Sequence, residues 1–133
     1  MRKKLKEILK KPPKLNHLRR LTTKDGILQH SIGSVPDPKV GYSIDDIARA
    51  LIAVLEYRRL YLARPLSSKE AAKNESLFKL AEIYLNFIEK AQNHNHKFHN
   101  FKSYQGKFLD KEGSEDSFGR TIWALGYTVG QKG

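Results

Sequence analysis

The sequence contains no cysteine, and this absence excludes two kinds of site. Disulfide bonds and thiolate metal sites cannot form, and a chain without cysteine fits a cytoplasmic protein. The sequence also has no run that approaches the ~20 apolar residues of a membrane span, so we expect none. Its basic N-terminus lacks the apolar segment and cleavage site of a secretory signal. A chain of 133 residues then fits one cytoplasmic domain.

Several motifs of nucleotide-dependent chemistry are missing as well. The chain has no GxSxG elbow, Walker loop or dinucleotide fingerprint, and no signature of an RRM, KH or zinc-finger module. We therefore expect no cofactor and no nucleic-acid partner. The net charge of +11 would nevertheless attract polyanions, so a nucleic-acid binder is kept as a hypothesis that rests on charge alone.

Much of the positive charge lies at the N-terminus, where residues 1–13 are interpreted as a basic tail with Glu7 as the single acidic residue. Leu5, Ile8 and Leu9 follow helical spacing and predict a short amphipathic helix, which the following proline pair would end. Contact with RNA or with a membrane surface is one interpretation of this segment. A solvated tail is the other, and it is the commoner origin of such charge blocks.

Three helices are predicted in the rest of the chain, over about 43–63, 67–92 and 114–127. The first two are joined by a short link that contains Pro65, so we expect an antiparallel helical hairpin. The third begins a second hairpin whose partner helix is missing. Its apolar residues would need a neighbour, which predicts a homo-oligomer or a partner chain that supplies further helices.

The remaining segments are less well determined by the pattern. Residues 26–32 are ambiguous between helix and strand, and residues 97–110 could form a strand pair or an ordered loop. Residues 34–41 contain two prolines and a glycine, and this composition predicts a loop.

Two of the predicted helix starts share one pattern. In each, a glycine and a capping serine precede an aspartate, and an arginine follows that aspartate by four residues: Asp45 and Arg49 in one copy, Asp116 and Arg120 in the other. Residues four apart lie on one face of a helix. We therefore expect the two helix starts to share one rim of the molecule.

The acidic residues at these starts are candidates for chemistry. Paired carboxylates can act as general acid and base in glycoside hydrolysis, and they can also bind sugar hydroxyls without chemistry. Ordinary helix stabilisation is the alternative, since a carboxylate in the first turn contributes about 0.3–1 kcal/mol through the helix dipole. The candidate catalytic residues are Asp45, Asp46, Glu115 and Asp116.

A second candidate segment, residues 98–104, mixes aromatic and hydrogen-bonding side chains. This mixture is typical of a small-molecule pocket, although the aromatic residues could equally be core anchors and His99 a structural residue. His94, His96 and His99 do not make a convincing metal site, because turn-forming residues flank them and no fourth ligand is evident. The candidate substrate-binding residues are Tyr42, Arg49, His99, Asn100, Tyr104 and Arg120, and no metal is expected.

These motifs, taken in order, resemble a helical domain associated with bacterial and archaeal glycosyltransferase-like proteins. The resemblance runs from about Pro12 to Gly130 and rests on six segments. They are Pro12-Pro13-Lys14-Leu15-Asn16-His17-Leu18-Arg19-Arg20-Leu21-Thr22, Gly26-Ile27-Leu28-Gln29-His30-Ser31, Val35-Pro36-Asp37, Gly41-Tyr42-Ser43-Ile44-Asp45-Asp46-Ile47-Ala48-Arg49-Ala50-Leu51, Phe98-His99-Asn100-Phe101 and Gly113-Ser114-Glu115-Asp116-Ser117-Phe118-Gly119-Arg120. It implies an (α/α)-toroid in which the starts of inner helices line a sugar site. It also implies that this chain holds only the N-terminal portion of such a toroid.

The sequence therefore predicts an all-α fold, with residues 14–133 as a partial (α/α)-toroid of antiparallel helical hairpins and long ordered loops. The predicted function is a carbohydrate-associated domain, related to glycosyltransferases, that binds a sugar or glycan at its helix N-termini. The alternative is a non-catalytic interaction module that completes a toroid with a partner chain. Whether the chain is an enzyme is left open.

Overall fold

The computed structural model describes residues 2–131. Met1, in the predicted tail, and residues 132–133, in the predicted helical domain, lie outside the described residues. The elements in chain order are α1 (Arg2–Lys10), α2 (Asn16–Leu21), β1 (Thr22–Thr23), β2 (Gly26–Ile32), β3 (Val35–Ser43), α3 (Ile44–Tyr61), α4 (Ser68–Ala91), β4 (Phe101–Lys102) and α5 (Glu115–Val129).

The fold is mixed, and the prediction of an all-α partial toroid is wrong. The four strands form one antiparallel sheet in the order β1-β2-β3-β4. Helix accounts for 55% of the described residues and strand for 18%, so the sheet is a full part of the architecture. An all-helical toroid has no place for it.

The prediction of a loop over residues 34–41 is wrong, because these residues lie mostly in β3. β3 pairs with β4 only at Tyr42 and Ser43, so its proline-bearing part has a free edge, where proline is tolerated. Between the pairs His30↔Asp37 and Leu28↔Tyr42, residues 38–41 of β3 lie opposite Gln29 alone. This bulge absorbs the residues that interrupt the strand pattern.

The three long helices are confirmed close to their predicted bounds, and α3 and α4 form the predicted antiparallel hairpin. Arg58 near the end of α3 donates a hydrogen bond to Asn74 in the first half of α4, at 2.8 Å. α3 lies at the centre, between α4 and α5. Leu51, Leu77 and Tyr84 have no exposed surface, and burying each such side chain stabilises the fold by about 1.5–3 kcal/mol.

The helix α5 runs in the same direction as α3 and packs on it through a narrow face. Its buried residues are small: Ser117, Thr121 and Ala124. Leu125 and Tyr127 pack against the edge of the core, and the Tyr127 hydroxyl donates a hydrogen bond to Glu56 of α3. Ile122, Trp123 and Val129 are exposed, Trp123 to 60%. Within residues 2–131, α5 packs on α3, which covers only one side of it. The homo-oligomer or partner chain expected to cover the third helix stays a prediction.

The sheet covers the start of α3 and the second half of α4. The ring of Tyr42 in β3 packs on Phe87 with centroids 6.1 Å apart, and the hydroxyl of Thr22 in β1 lies 2.7 Å from that of Tyr84. This packing fixes the position of the β3–α3 junction, where the first of the repeated motifs lies. Within residues 2–131, no helix is long and apolar enough to cross a membrane.

Candidate functional site

The starts of α3 and α5 have the same local geometry. The Ser43 hydroxyl accepts a hydrogen bond from the Asp46 amide at 3.2 Å, and the Ser114 hydroxyl accepts one from the Ser117 amide at 3.1 Å. These bonds satisfy amide groups that the first turn of a helix leaves without a partner. Both serines are therefore N-caps, and the aspartate that follows each of them lies in the first turn.

The two aspartate–arginine pairs meet in one ion-pair network. Within each helix, Asp45 lies 2.8 Å from Arg49 and Asp116 lies 3.1 Å from Arg120. Between the helices, Arg120 Nε lies 2.9 Å from Asp45 Oδ1. The expected convergence of the two helix starts is thus present, and the link between them is an arginine that contacts one aspartate from each helix.

The network has a definite charge balance. The pKa of Arg120 is raised above its ordinary value, first by the hydrogen bond to Asp116 and then by the charges of Asp45 and Asp116. This guanidinium therefore stays protonated. Arg120 Nε donates its hydrogen bond to Asp116, whereas Asp45 Oδ1 is enclosed and accepts no hydrogen bond. Because both aspartates are already paired with arginine, the arrangement favours a clamp that holds α5 on α3. The catalytic role of these aspartates stays a prediction, as does that of the half-exposed Asp46.

Tyr42 belongs to the core. It is 1% exposed, and its hydroxyl lies 2.8 Å from the hydroxyl of Thr23. Burial raises the pKa of Tyr42, and the bond to Thr23 offsets part of that rise. Its ring lies 6.5 Å from that of Tyr104, which is 49% exposed. Of these two predicted binding residues, Tyr104 is therefore the one that a ligand can reach.

His99 and Asn100 hold the loop after α4 against the start of α3. His99 Nδ1 lies 2.6 Å from the Asp110 carbonyl oxygen, and its ring stacks on Phe108 with centroids 4.8 Å apart. The backbone amide of Asn100 donates a hydrogen bond to the Asp110 carboxylate at 2.8 Å. The backbone carbonyl of Asn100 accepts one from the Ile44 amide at 2.8 Å. Asp110, which is not among the predicted site residues, thus organises this segment.

An open depression of about 800 Å³ lies beside the start of α5. Phe118 is 37% exposed there, and its ring packs on the buried Phe98 with centroids 5.8 Å apart. Lys97 and Glu112 form an ion pair at 3.0 Å between the two loops that flank the depression. The lining residues are Asn95, His96, Lys97, Glu112, Gly113, Ser114, Glu115 and Phe118.

Glu115 is the one predicted site residue that lines this depression; the ion-pair network lies outside its lining. Apart from Phe118, the other lining residues lie in or next to two turns, at 93–96 after α4 and at 111–113 before α5, and these turns are the sequence signal for them. In the turn at 93–96, Asn93 Oδ1 accepts hydrogen bonds from the backbone amides of Asn95 and Lys97. Within residues 2–131, no group of three or more histidine, aspartate or glutamate side chains could hold a metal ion.

Comparison with protein-family models, curated proteins and solved structures found no match to this chain. The resemblance to a glycosyltransferase-associated helical toroid is therefore wrong on two grounds. No family model or curated relative supports a relation to glycosyltransferases, and the antiparallel sheet does not belong to an all-helical toroid.

Proposed function

We propose that this protein binds a sugar or glycan in the depression beside the start of α5. The observation that carries the proposal is an exposed aromatic ring with varied hydrogen-bonding groups around it. Phe118 offers an apolar face for the C–H patches of a sugar ring. The amide of Asn95, the imidazole of His96 and the carboxylate of Glu115 can donate to or accept from its hydroxyls.

The position of Phe118 supports this proposal. The ring of Phe98 beneath it is 4% exposed, so Phe118 rests on the core while it lines the depression with a partly exposed ring. A fixed ring costs little conformational entropy when a ligand binds. The loop that carries Asn95 and His96 is also held in place, since Asn93 bonds to Lys111 O on the opposite side at 3.1 Å.

A glycan array probed with the purified full chain tests the proposal. Phe118→Ala and His96→Ala should each abolish binding to the best ligand or weaken it about tenfold or more. Asp45→Asn and Asp116→Asn test the earlier assignment to the ion-pair network, and they should leave binding unchanged. If the two aspartate variants lost binding while the Phe118 and His96 variants kept it, the site would be the network.

A second candidate function is self-association through α5. Ile122, Trp123 and Val129 are 48%, 60% and 86% exposed, and together they give the outer side of the second half of α5 an apolar surface. A second copy of the chain offers the same surface, and a two-fold axis would let each cover the other. Tryptophan is among the residues that most often contribute strongly to interfaces.

Light scattering coupled to size-exclusion chromatography tests this second candidate. A dimer that Ile122→Glu converts to a monomer is the expected result. Lys24→Glu in the β1–β2 turn is the control, because it changes charge without touching α5. A monomer at all concentrations would count against self-association and would leave the sugar-binding proposal unaffected.

A further inference from the structure

The helix α1 is the most exposed element of the structure. Every residue from Arg2 to Lys10 is exposed, and the apolar side chains are no exception: Leu5, Ile8 and Leu9 are 58%, 63% and 50% exposed. Their spacing of three and four residues places them on one side of the helix. The rest of the helix surface is almost entirely basic, so α1 is strongly amphipathic, and the other described residues leave each of its apolar side chains at least half exposed.

The end of α1 lies beside the link between α3 and α4. Leu9 and Lys10 line a shallow depression together with Arg59, Leu60 and Arg64. Leu60 is itself 48% exposed. The apolar side chains of α1 therefore continue onto a neighbouring surface that also combines an exposed leucine with arginines.

The charge of this region is one-sided. Arg59 and Arg64 are each paired with a glutamate, at 2.8 Å and 2.7 Å. None of the basic side chains of α1 forms an ion pair with another described residue. The basic residues on and just after α1 are Arg2, Lys3, Lys4, Lys6, Lys10, Lys11 and Lys14, against the single acidic Glu7.

We propose that α1 binds the surface of an anionic lipid bilayer. An amphipathic helix rich in lysine lies in the interfacial plane, with its apolar side among the acyl chains and its basic side at the headgroups. Phosphate-bearing lipids supply the negative charge that complements the lysines. RNA would explain the charge but gives no role to the exposed Leu5, Ile8 and Leu9. A second copy of α1 is disfavoured as the occupant, because it would bring together two helices that each carry five basic residues and a single acidic one.

Vesicle flotation of the full chain tests the proposal. We expect binding to phosphatidylcholine vesicles that contain ~30% phosphatidylglycerol, and at least ~10-fold weaker binding to phosphatidylcholine alone. The triple variant Leu5→Ser, Ile8→Ser, Leu9→Ser keeps every charge and should weaken binding to the anionic vesicles by ~30-fold or more. Lys3→Glu with Lys6→Glu should weaken it by ~100-fold.

Matched controls separate α1 from the rest of the surface. The triple variant Ile32→Ser, Val35→Ser, Leu109→Ser removes exposed apolar side chains elsewhere, and Lys24→Glu with Lys107→Glu makes the same charge change elsewhere. Both controls should bind within ~3-fold of the wild type, since they leave the helix intact. Circular dichroism of each variant verifies that the fold is kept.

The absence of cysteine allows a direct readout of contact. A single cysteine is introduced by Ile8→Cys and labelled with an environment-sensitive dye. The emission of this dye should shift to the blue on anionic vesicles, whereas the emission of the same dye at Val129→Cys should not. Equal binding to neutral vesicles, no binding to either kind, or a serine triple variant that binds as well as the wild type would each overturn the proposal. So would tighter binding to RNA that the triple variant retains.

Discussion

The starts of α3 and α5 share a sequence pattern and a capping geometry, yet they lie in different environments. A glycine with positive φ precedes each serine cap, at 71° for Gly41 and 67° for Gly113. Ile47, in the first turns of α3, is completely buried. Phe118, at the corresponding position of α5, is 37% exposed.

The difference comes from what surrounds each helix. α3 has α4 on one side, α5 on another and the sheet near its start, so almost all of its apolar residues find a partner. α5 has α3 alone among the long helices. A capping serine and a first-turn aspartate therefore determine where a helix begins, while the number of neighbouring elements determines how much of it is buried.

The largest expected effect compares Leu51 of α3 with Ile122, its counterpart in α5. Leu51 is fully buried, so Leu51→Ala should lower the free energy of unfolding by about 2–5 kcal/mol through lost burial and a cavity. Ile122→Ala should change it by less than about 0.5 kcal/mol, because nearly half of that side chain is exposed. Urea unfolding followed by circular dichroism gives both values. A large loss of unfolding free energy in Ile122→Ala would mean that the outer side of α5 is covered in solution.

The next comparison concerns the two glycines. A Cβ on Gly41 would lie 2.3 Å from the carbonyl oxygen of Lys102, whereas one on Gly113 would lie 2.8 Å from that of Phe98. Both substitutions also force alanine into the left-handed region. Gly41→Ala should therefore cost about 3 kcal/mol and Gly113→Ala about 2 kcal/mol.

Gly119 is the matched control for these two positions. It lies inside α5 with open space where a Cβ would be, so Gly119→Ala should raise the free energy of unfolding by about 0.5–1 kcal/mol. A Gly41→Ala variant as stable as the wild type would show that β4 does not approach β3 as closely as described.

The helices were predictable because their signals are local. Ser43, Ser67 and Ser114 are caps that a reader of the sequence can recognise, and the periodic apolar residues follow at once. The strand β3 was not predictable in this way. Its prolines are tolerated by a free edge and a bulge, and both are properties of its neighbours in the sheet.

The candidate site was predicted only in part for a similar reason. Spacing alone indicated that Asp45 pairs with Arg49 and Asp116 with Arg120, and it indicated that the two helix starts are equivalent. It could not show that Arg120 joins the pairs, which depends on α5 packing beside α3. Nor could it show that Tyr42 is buried, because an aromatic residue beside a glycine suits a pocket wall and a core equally well.

A smaller effect is expected at the two N-caps. The Ser43 hydroxyl accepts from the Asp46 amide and donates to the Asp46 carboxylate at 2.9 Å, and the residue is 5% exposed. Ser43→Ala should cost about 1–2 kcal/mol, since it leaves buried groups without a partner. Because Ser114 is exposed, Ser114→Ala should lower the free energy of unfolding by only about 0.5–1 kcal/mol. Ser114→Asp retains a capping oxygen and should remain near wild-type stability, as measured by thermal unfolding.

The smallest expected effect concerns the ion pair that joins the two helix starts. A double-mutant cycle with Asp45→Asn and Arg120→Gln should give a favourable coupling free energy that falls as salt is raised, because Arg120 is partly exposed and water and ions screen the pair. The cycle with Asp45→Asn and Arg49→Gln is the control. Arg49 is 53% exposed and its pair lies within one helix, so that coupling should be weaker. If the network is a clamp between the helices, the Asp45–Arg120 coupling must be the larger of the two. Of these two ion pairs, only Asp45–Arg120 joins α5 to α3. If the coupling of Asp45 to Arg49 were the larger one, the contact between the helices would rest on the buried Ser117, Thr121 and Ala124 and on the Tyr127–Glu56 hydrogen bond. The network would then be a surface feature of α3.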